Sequence, residues 1–175
     1  MAKGKKVKAM MSGSNVISSA SEALNLFSRR RFGEIVRGKV KYLLVEALYL
    51  IEEGMLEVYD GGKKVSKSKF LEKAGRFEKD FLIRYLVFSD LRSKGYLVKT
   101  ALKYGADFRV YEKGNKIGKD HAKWIVFPAK EGKGLTWRGF AAKSRVAHST
   151  RKNLLIAIVD GEGDVTYYSV DWTKI

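Results

Sequence analysis

The sequence predicts an α+β fold in two parts, a small helix-rich mixed α/β domain over residues 1–84 and a domain over residues 85–175 with a central mixed sheet flanked by helices. Three observations predict it. Apolar residues recur at helical spacing through most of residues 40–91. Beyond Tyr96 the texture changes to short extended runs punctuated by glycine. A hydrophobic fraction of 45% over 175 residues suffices for one generous core or two small ones.

The elements follow in order. Met1 to Lys8 is basic but leads into no apolar run, so it does not read as a signal peptide. Asn15 to Ile17 can form a short strand. Val40, Leu43, Leu44, Ala47, Leu48 and Ile51 recur at helical spacing, and Gly54 follows as a stop. Met55 to Tyr59 alternates like a strand, Asp60-Gly61-Gly62 is a turn, and Lys63 to Lys69 is a basic connector. Phe70, Phe77, Phe81, Leu82, Tyr85, Leu86 and Leu91 then share a helical face, with a kink expected near Gly75 and an end at Gly95. Tyr96 to Thr100, Asp107 to Glu112 and Ala122 to Phe127 read as strands, with Gly105, Gly114 and Gly118 at the turns. Thr136 to Ser149 carries helical spacing. Leu154 to Val159 is an unbroken apolar run, as a strand buried on both faces requires. The turn Asp160-Gly161-Glu162-Gly163-Asp164 leads to a last strand, Val165 to Val170.

Lys and Arg outnumber Asp and Glu by 35 to 19, a formal charge of +16, so the natural partner is a polyanion: nucleic acid or an anionic membrane. No apolar run approaches the roughly 18 residues of a membrane span, and a soluble, cytoplasmic protein is expected. The absence of cysteine excludes disulfides and thiolate metal sites.

Metal chemistry has little to draw on. The two histidines, His121 and His148, lack a second histidine or a carboxylate at metal-site spacing. A carboxylate nuclease site would have to combine Asp107 or Asp120 with Glu131-Gly132-Lys133, and Glu131 sits in a glycine-rich loop that would hold Mg²⁺ poorly. The phosphate-binding loop signature is missing, Gly114 to Lys119 reads as an ordinary turn, and there is no Gly-x-Ser-x-Gly elbow. Metal-free acid–base cleavage of RNA remains. RNA supplies its own nucleophile, the 2′-OH, and a protein need add only a base, an acid for the leaving 5′-oxygen and a cation for the charged transition state. His121, at the mouth of a strand in the basic context Lys116 to Lys123, is a candidate acid, although a lone surface histidine is usually inert. His148 is its rival, with an adequate structural role at a helix C-terminus.

Three blocks now become informative together. Leu91-Arg92-Ser93-Lys94-Gly95-Tyr96 leads into Lys103-Tyr104-Gly105-Ala106-Asp107-Phe108-Arg109-Val110-Tyr111; His121 follows ten positions after Tyr111; and Arg145-Val146-Ala147-His148-Ser149-Thr150-Arg151-Lys152 runs into the apolar strand. In this order and spacing they resemble the catalytic domain of archaeal tRNA-splicing endonucleases over residues 85–171, and Val45 to Leu50 extends the resemblance more weakly into the N-terminal half.

The resemblance implies a nuclease-like C-terminal domain and a triad of Tyr111, His121 and Lys152. It implies Tyr111 as base on the 2′-OH, His121 as acid and Lys152 as transition-state cation. No metal or other cofactor is expected, and the products would be a 2′,3′-cyclic phosphate and a 5′-hydroxyl. The implied substrate is precursor tRNA cut at both intron boundaries in a bulge-helix-bulge. Free tyrosine ionises near pH 10, so Tyr111 needs a basic surround to act as a base, or else it positions the 2′-OH. The resemblance implies a grip on a bulged base between two flat side chains from different subunits: Arg145 matches the arginine position, and Trp172 is a candidate partner through stacking. The acidic turn Asp160, Glu162 and Asp164 would dock into a basic groove of another subunit and give a homotetramer. Two other readings are a non-catalytic RNA-binding or structural subunit and a metal-dependent nuclease.

Overall fold

The structure, a computed structural model, describes residues 5–114 and 121–175. The chain divides into two compact units, Met1–Tyr85 and Leu86–Ile175, each organised around one sheet.

In the first unit β1 (Val7–Ser12) and β2 (Asn15–Ser18) form a hairpin turned at Gly13, and α1 (Ser21–Arg30) follows. A second hairpin, β3 (Glu34–Val36) and β4 (Lys39–Tyr42), turns at Arg37-Gly38, both left-handed, as the twist of a two-residue loop demands. Then come α2 (Leu44–Glu52), β5 (Leu56–Asp60), β6 (Lys63–Lys64) and α3 (Lys67–Phe77). The strand order is β3-β4-β2-β1-β5-β6, antiparallel except for β1 beside β5. Burial alternates along β1: Val7, Ala9 and Met11 face the core while Lys8, Met10 and Ser12 face solvent. One face is therefore packed and the other is wet.

Glu46 anchors this unit. It is buried at 2% exposure, and its carboxylate accepts the backbone N–H of Gly33 at 3.0 Å and of Leu43 at 3.0 Å. The first bond ties the β3 entrance to α2, and the second caps the helix. Gly33 is obligatory there. Its φ is +78°, and a Cβ would lie 2.5 Å from Val40 Cγ1 and 3.0 Å from the Lys41 carbonyl.

The second unit opens within α4 (Phe81–Ser93) and continues through β7 (Leu97–Thr100), a 3-10 turn (Leu102–Tyr104), β8 (Phe108–Tyr111), β9 (Trp124–Lys130), α5 (Trp137–Ser149), β10 (Asn153–Val159) and β11 (Val165–Val170). The order is β11-β10-β9-β8-β7, antiparallel save for β9 beside β10, which α5 joins as a crossover. Under α5 lie Ile125, Phe127 and Leu154, packed against Ala147. Phe88 of α4 packs on Phe108 with ring centroids 5.9 Å apart.

The α+β class and the mixed sheet of the C-terminal unit agree with the sequence reading. Local departures have physical causes. The N-terminal sheet is larger than expected, because β1, β3 and β4 are short edge or hairpin strands whose outward residues break any apolar run. Val40 belongs to a strand rather than to the following helix: Val40 and Tyr42 are buried while Lys39 and Lys41 are exposed, a period of two. The long helix breaks after Phe77, where Asp80 is left-handed at φ +54°, and not at Gly75, which stays helical with open space about its Cα. The turn expected at Gly118 lies outside the described residues. Among the described residues no helix is long and apolar enough to cross a membrane.

Glu46→Ala removes the acceptor of one buried N–H group, that of Gly33, and of one part-buried N–H group, that of Leu43, at about 1–3 kcal/mol for a buried one and less for the other. A stability loss of about 3 kcal/mol is expected in urea unfolding, and a loss below about 1 kcal/mol would contradict the anchoring role.

Candidate active site

The three strand ends that meet beside the α5 crossover define the place. Val110 pairs with Trp124, and Trp124 with Asn153. The next positions outward are Tyr111, Lys123 and Lys152, bridged by Lys123 N–H to the Val110 carbonyl at 2.9 Å and Asn153 N–H to the Lys123 carbonyl at 2.9 Å. Tyr111 and Lys152 thus flank Lys123, roughly 10 Å apart at Cα by strand spacing. Their parity is that of Arg109, Ile125 and Leu154, so they share the face on which α5 packs. His121 precedes Lys123 by two residues, is exposed, and keeps the same parity if the chain stays extended.

Each residue is held differently. Tyr111 ends β8 at 4% exposure, with the Arg109 guanidinium 5.9 Å from its ring centroid. Arg109 Nε is itself buried without a hydrogen-bond partner among the described residues. Lys123 is ion-paired with Glu112, and its ammonium lies 4.9 Å from the Trp124 ring.

Lys152 is positioned by the end of α5. Arg151 N–H donates to the His148 carbonyl at 3.0 Å and Lys152 N–H to the Ala147 carbonyl at 2.9 Å, the paired bonds of a Schellman turn. The residue in the left-handed position is Arg151, at φ +53°, where glycine is the usual choice. The turn swings the chain into β10 and brings the Lys152 ammonium back onto the Thr150 carbonyl at 2.9 Å. That ammonium sits at the carbonyl end of the helix, where a cation is favoured.

Lys152 also lines a groove of about 300 Å³ with His148, Arg151, Asp171 and Trp172. Tyr111 and His121 are not among the residues that line it. A neighbouring groove of about 420 Å³ contains both Arg145 and Trp172, together with Phe140, Ser144 and His148. Trp172 is 64% exposed, with its ring centroid 4.3 Å from that of His148. That contact gives His148 a packing partner in addition to its place in the last turn of α5. Trp137, at the N-terminus of α5, is 85% exposed and meets Phe140 edge to face, with ring centroids 5.9 Å apart, a prominence that helical spacing alone could not reveal.

The acidic turn divides by role. The Asp160 carboxylate accepts N–H bonds from Glu162, Gly163 and Asp164, each at 2.9 Å, so this acid folds the turn. Glu162 and Asp164 are exposed.

Two groups of this unit are displaced from their ordinary protonation range. Burial lowers the Lys143 ammonium, which lies 4.0 Å from the Phe127 ring, and Asp107 partly opposes the shift. Burial and then the Asp90 carboxylate raise Tyr167, which stays a neutral phenol and donates to Asp90 at 2.7 Å. Among the described residues no group of three or more His, Asp or Glu side chains is placed to share a metal ion. Asp120, one half of the carboxylate alternative, lies outside the described residues.

Both parts of the chain are similar to known families. A family profile described as the tRNA intron endonuclease catalytic C-terminal domain matches residues 81–167, and one described as the N-terminal domain of the same endonuclease matches residues 7–71. Proteins named tRNA-splicing endonuclease are similar across three quarters or more of the chain. That of Thermococcus onnurineus is 42% identical over 165 residues, 94% of this chain and 95% of its own. That of Pyrococcus furiosus is 42% identical over 166 residues, 94% of this chain and 95% of its own. That of Nanoarchaeum equitans is 45% identical over 137 residues, 75% of this chain and 88% of its own.

Asp160→Ala removes the acceptor of three backbone N–H groups at a partly exposed turn. A stability loss of about 1–2 kcal/mol is expected, with Asp160→Asn recovering much of it. Thermal melting of the two variants checks this, and equal losses in both would show that charge rather than turn geometry matters.

Proposed function

Because the chain belongs to the tRNA intron endonuclease family, we propose that it cuts precursor tRNA at both intron boundaries, using Tyr111, His121 and Lys152 without a metal or other cofactor. The observation that carries the reading is the sheet register: Tyr111 and Lys152 flank Lys123 on the α5 face, and His121 is two residues out from the same strand.

In the proposed reaction Tyr111 Oη, deprotonated beforehand, accepts the 2′-OH proton as O2′ attacks the adjacent phosphorus. The P–O5′ bond breaks, and His121 donates a proton to the departing oxygen. A 2′,3′-cyclic phosphate and a 5′-hydroxyl result. Lys152 faces the extra negative charge of the transition state. Its ammonium is held in place before substrate arrives, which avoids reorganisation during the reaction. The small exposure of Tyr111 suits a group that must exclude water from the attacking hydroxyl.

The substrate presentation we propose is the bulge-helix-bulge, in which two scissile bonds are related by approximate two-fold symmetry. A homotetramer would offer paired active sites of matching geometry. Glu162 and Asp164 are the acids exposed for docking on another subunit; Asp160 contributes by shaping the turn. Arg145 and Trp172 are the proposed grip on a bulged base, each meeting its counterpart from another subunit; within one chain both line the same groove, and the Trp172 ring lies against His148 and is largely open to solvent. Residues 85–175 would carry the chemistry, with 1–84 as a structural domain.

Incubation with a bulge-helix-bulge RNA in EDTA tests the reading. Cleavage that persists supports the triad, metal-dependent cutting would support the carboxylate alternative, and binding without cutting would support a structural subunit. His121→Ala is expected to bind RNA nearly normally and to cleave about 10²-fold or more slowly; normal cleavage would remove His121 from the mechanism.

A further inference from the structure

The solvent face of the N-terminal sheet carries a pattern that neither the core nor the proposed chemistry uses. One register row crosses all six strands: Lys64, Tyr59, Met10, Ile17, Lys41 and Glu34. Paired residues share a face, so these side chains stand together on the side away from the buried Val7, Ala9, Val16 and Val58. Lys8 and Lys39 belong to the adjoining row on the same face. The centre of the strip is therefore flat and apolar, with Met10 at 54% exposure beside the half-buried Tyr59 and Ile17, and lysines stand on both sides. Lys64 and Lys41 are about 19 Å apart by strand spacing.

Its charge is unbalanced. Glu57 is already engaged by Lys64 at 2.7 Å and by the Tyr59 hydroxyl at 3.0 Å, and Glu34 lies on the outermost strand. Lys8, Lys39 and Lys41 are exposed and make no ion pair among the described residues. A second copy of the chain would set lysines against lysines, which is unfavourable. A duplex offers phosphates but no base face for the apolar centre. A single strand offers both: phosphates for the lysines, and bases for Tyr59 and Met10.

We infer that this face binds a single-stranded segment of RNA, separately from the proposed cleavage site. The inference rests on the reading of RNA as substrate, and the test keeps the two apart. The full-length chain and its Lys8→Ala/Lys39→Ala/Lys41→Ala variant are titrated with a fluorescein-labelled uridine 12-mer at several salt concentrations. Removing three phosphate contacts should lower the slope of log affinity against log salt by about 2, at about 0.7 per contact. Tyr59→Ser should weaken binding about tenfold and leave the slope unchanged. Both variants should cut a short bulge-helix-bulge RNA at the wild-type single-turnover rate.

Equal slopes and affinities for wild type and triple variant would overturn the inference. So would an altered molecular mass of the triple variant in sedimentation with unchanged RNA binding, which would make the face a subunit contact. Wild-type protein that fails to cut any precursor tRNA would instead defeat the proposed function, and the 12-mer titration could still be read.

Discussion

The C-terminal unit depends on one pairing, the parallel alignment of β9 with β10. Parallel neighbours cannot be joined by a tight turn, so a crossover is obligatory, and α5 supplies it. The place where α5 ends and β10 begins is then fixed by the Schellman turn at Arg151. From that turn follow the direction of Lys152, its ammonium on the Thr150 carbonyl, and its alignment with Lys123 and Tyr111 across the sheet. A left-handed arginine costs on the order of 1 kcal/mol relative to a relaxed conformation, a strain the surrounding hydrogen bonds offset.

The N-terminal unit is organised by the opposite logic. Its sheet is packed on one face only, and a single buried carboxylate, Glu46, fastens strand, turn and helix through two N–H bonds. A wet sheet face tolerates lysine at every outward position, and alternation makes that face charged without disturbing the core beneath it.

How legible this was in the sequence varied with the range of the interactions. Leu154 to Val159 announced itself as a strand by its unbroken apolar run, and β10 covers it with one added residue, but only Leu154, Ala157 and Val159 are buried while Leu155, Ile156 and Ile158 stay half-buried. The helix expected over Thr136 to Ser149 begins one residue later, with the Thr136 side chain capping the Gly139 N–H. Val40 misled because it satisfies both a helical repeat and a two-residue alternation, and only pairing with β2 decides between them. The first 36 residues were opaque because their strands are stabilised across the sheet rather than along the chain. For the proposed site, the residue types and their order could be read from the three blocks, whereas the register joining Tyr111 to Lys152 could not. It depends on non-local pairing across β9. Nor could spacing show that Asp160 folds its own turn, or that His148 and Trp172 are in contact.

In the reaction we propose, the RNA's own 2′-OH is the nucleophile and side chains alone organise its attack. Precursor tRNA with a single 2′-deoxynucleotide immediately 5′ of one scissile phosphate tests this within one molecule. Normal cutting is expected at the unmodified boundary, ending in a 2′,3′-cyclic phosphate, with no cutting at the deoxy boundary. Cleavage at the deoxy boundary would mean that water or another nucleophile attacks, and would overturn attack by the 2′-OH.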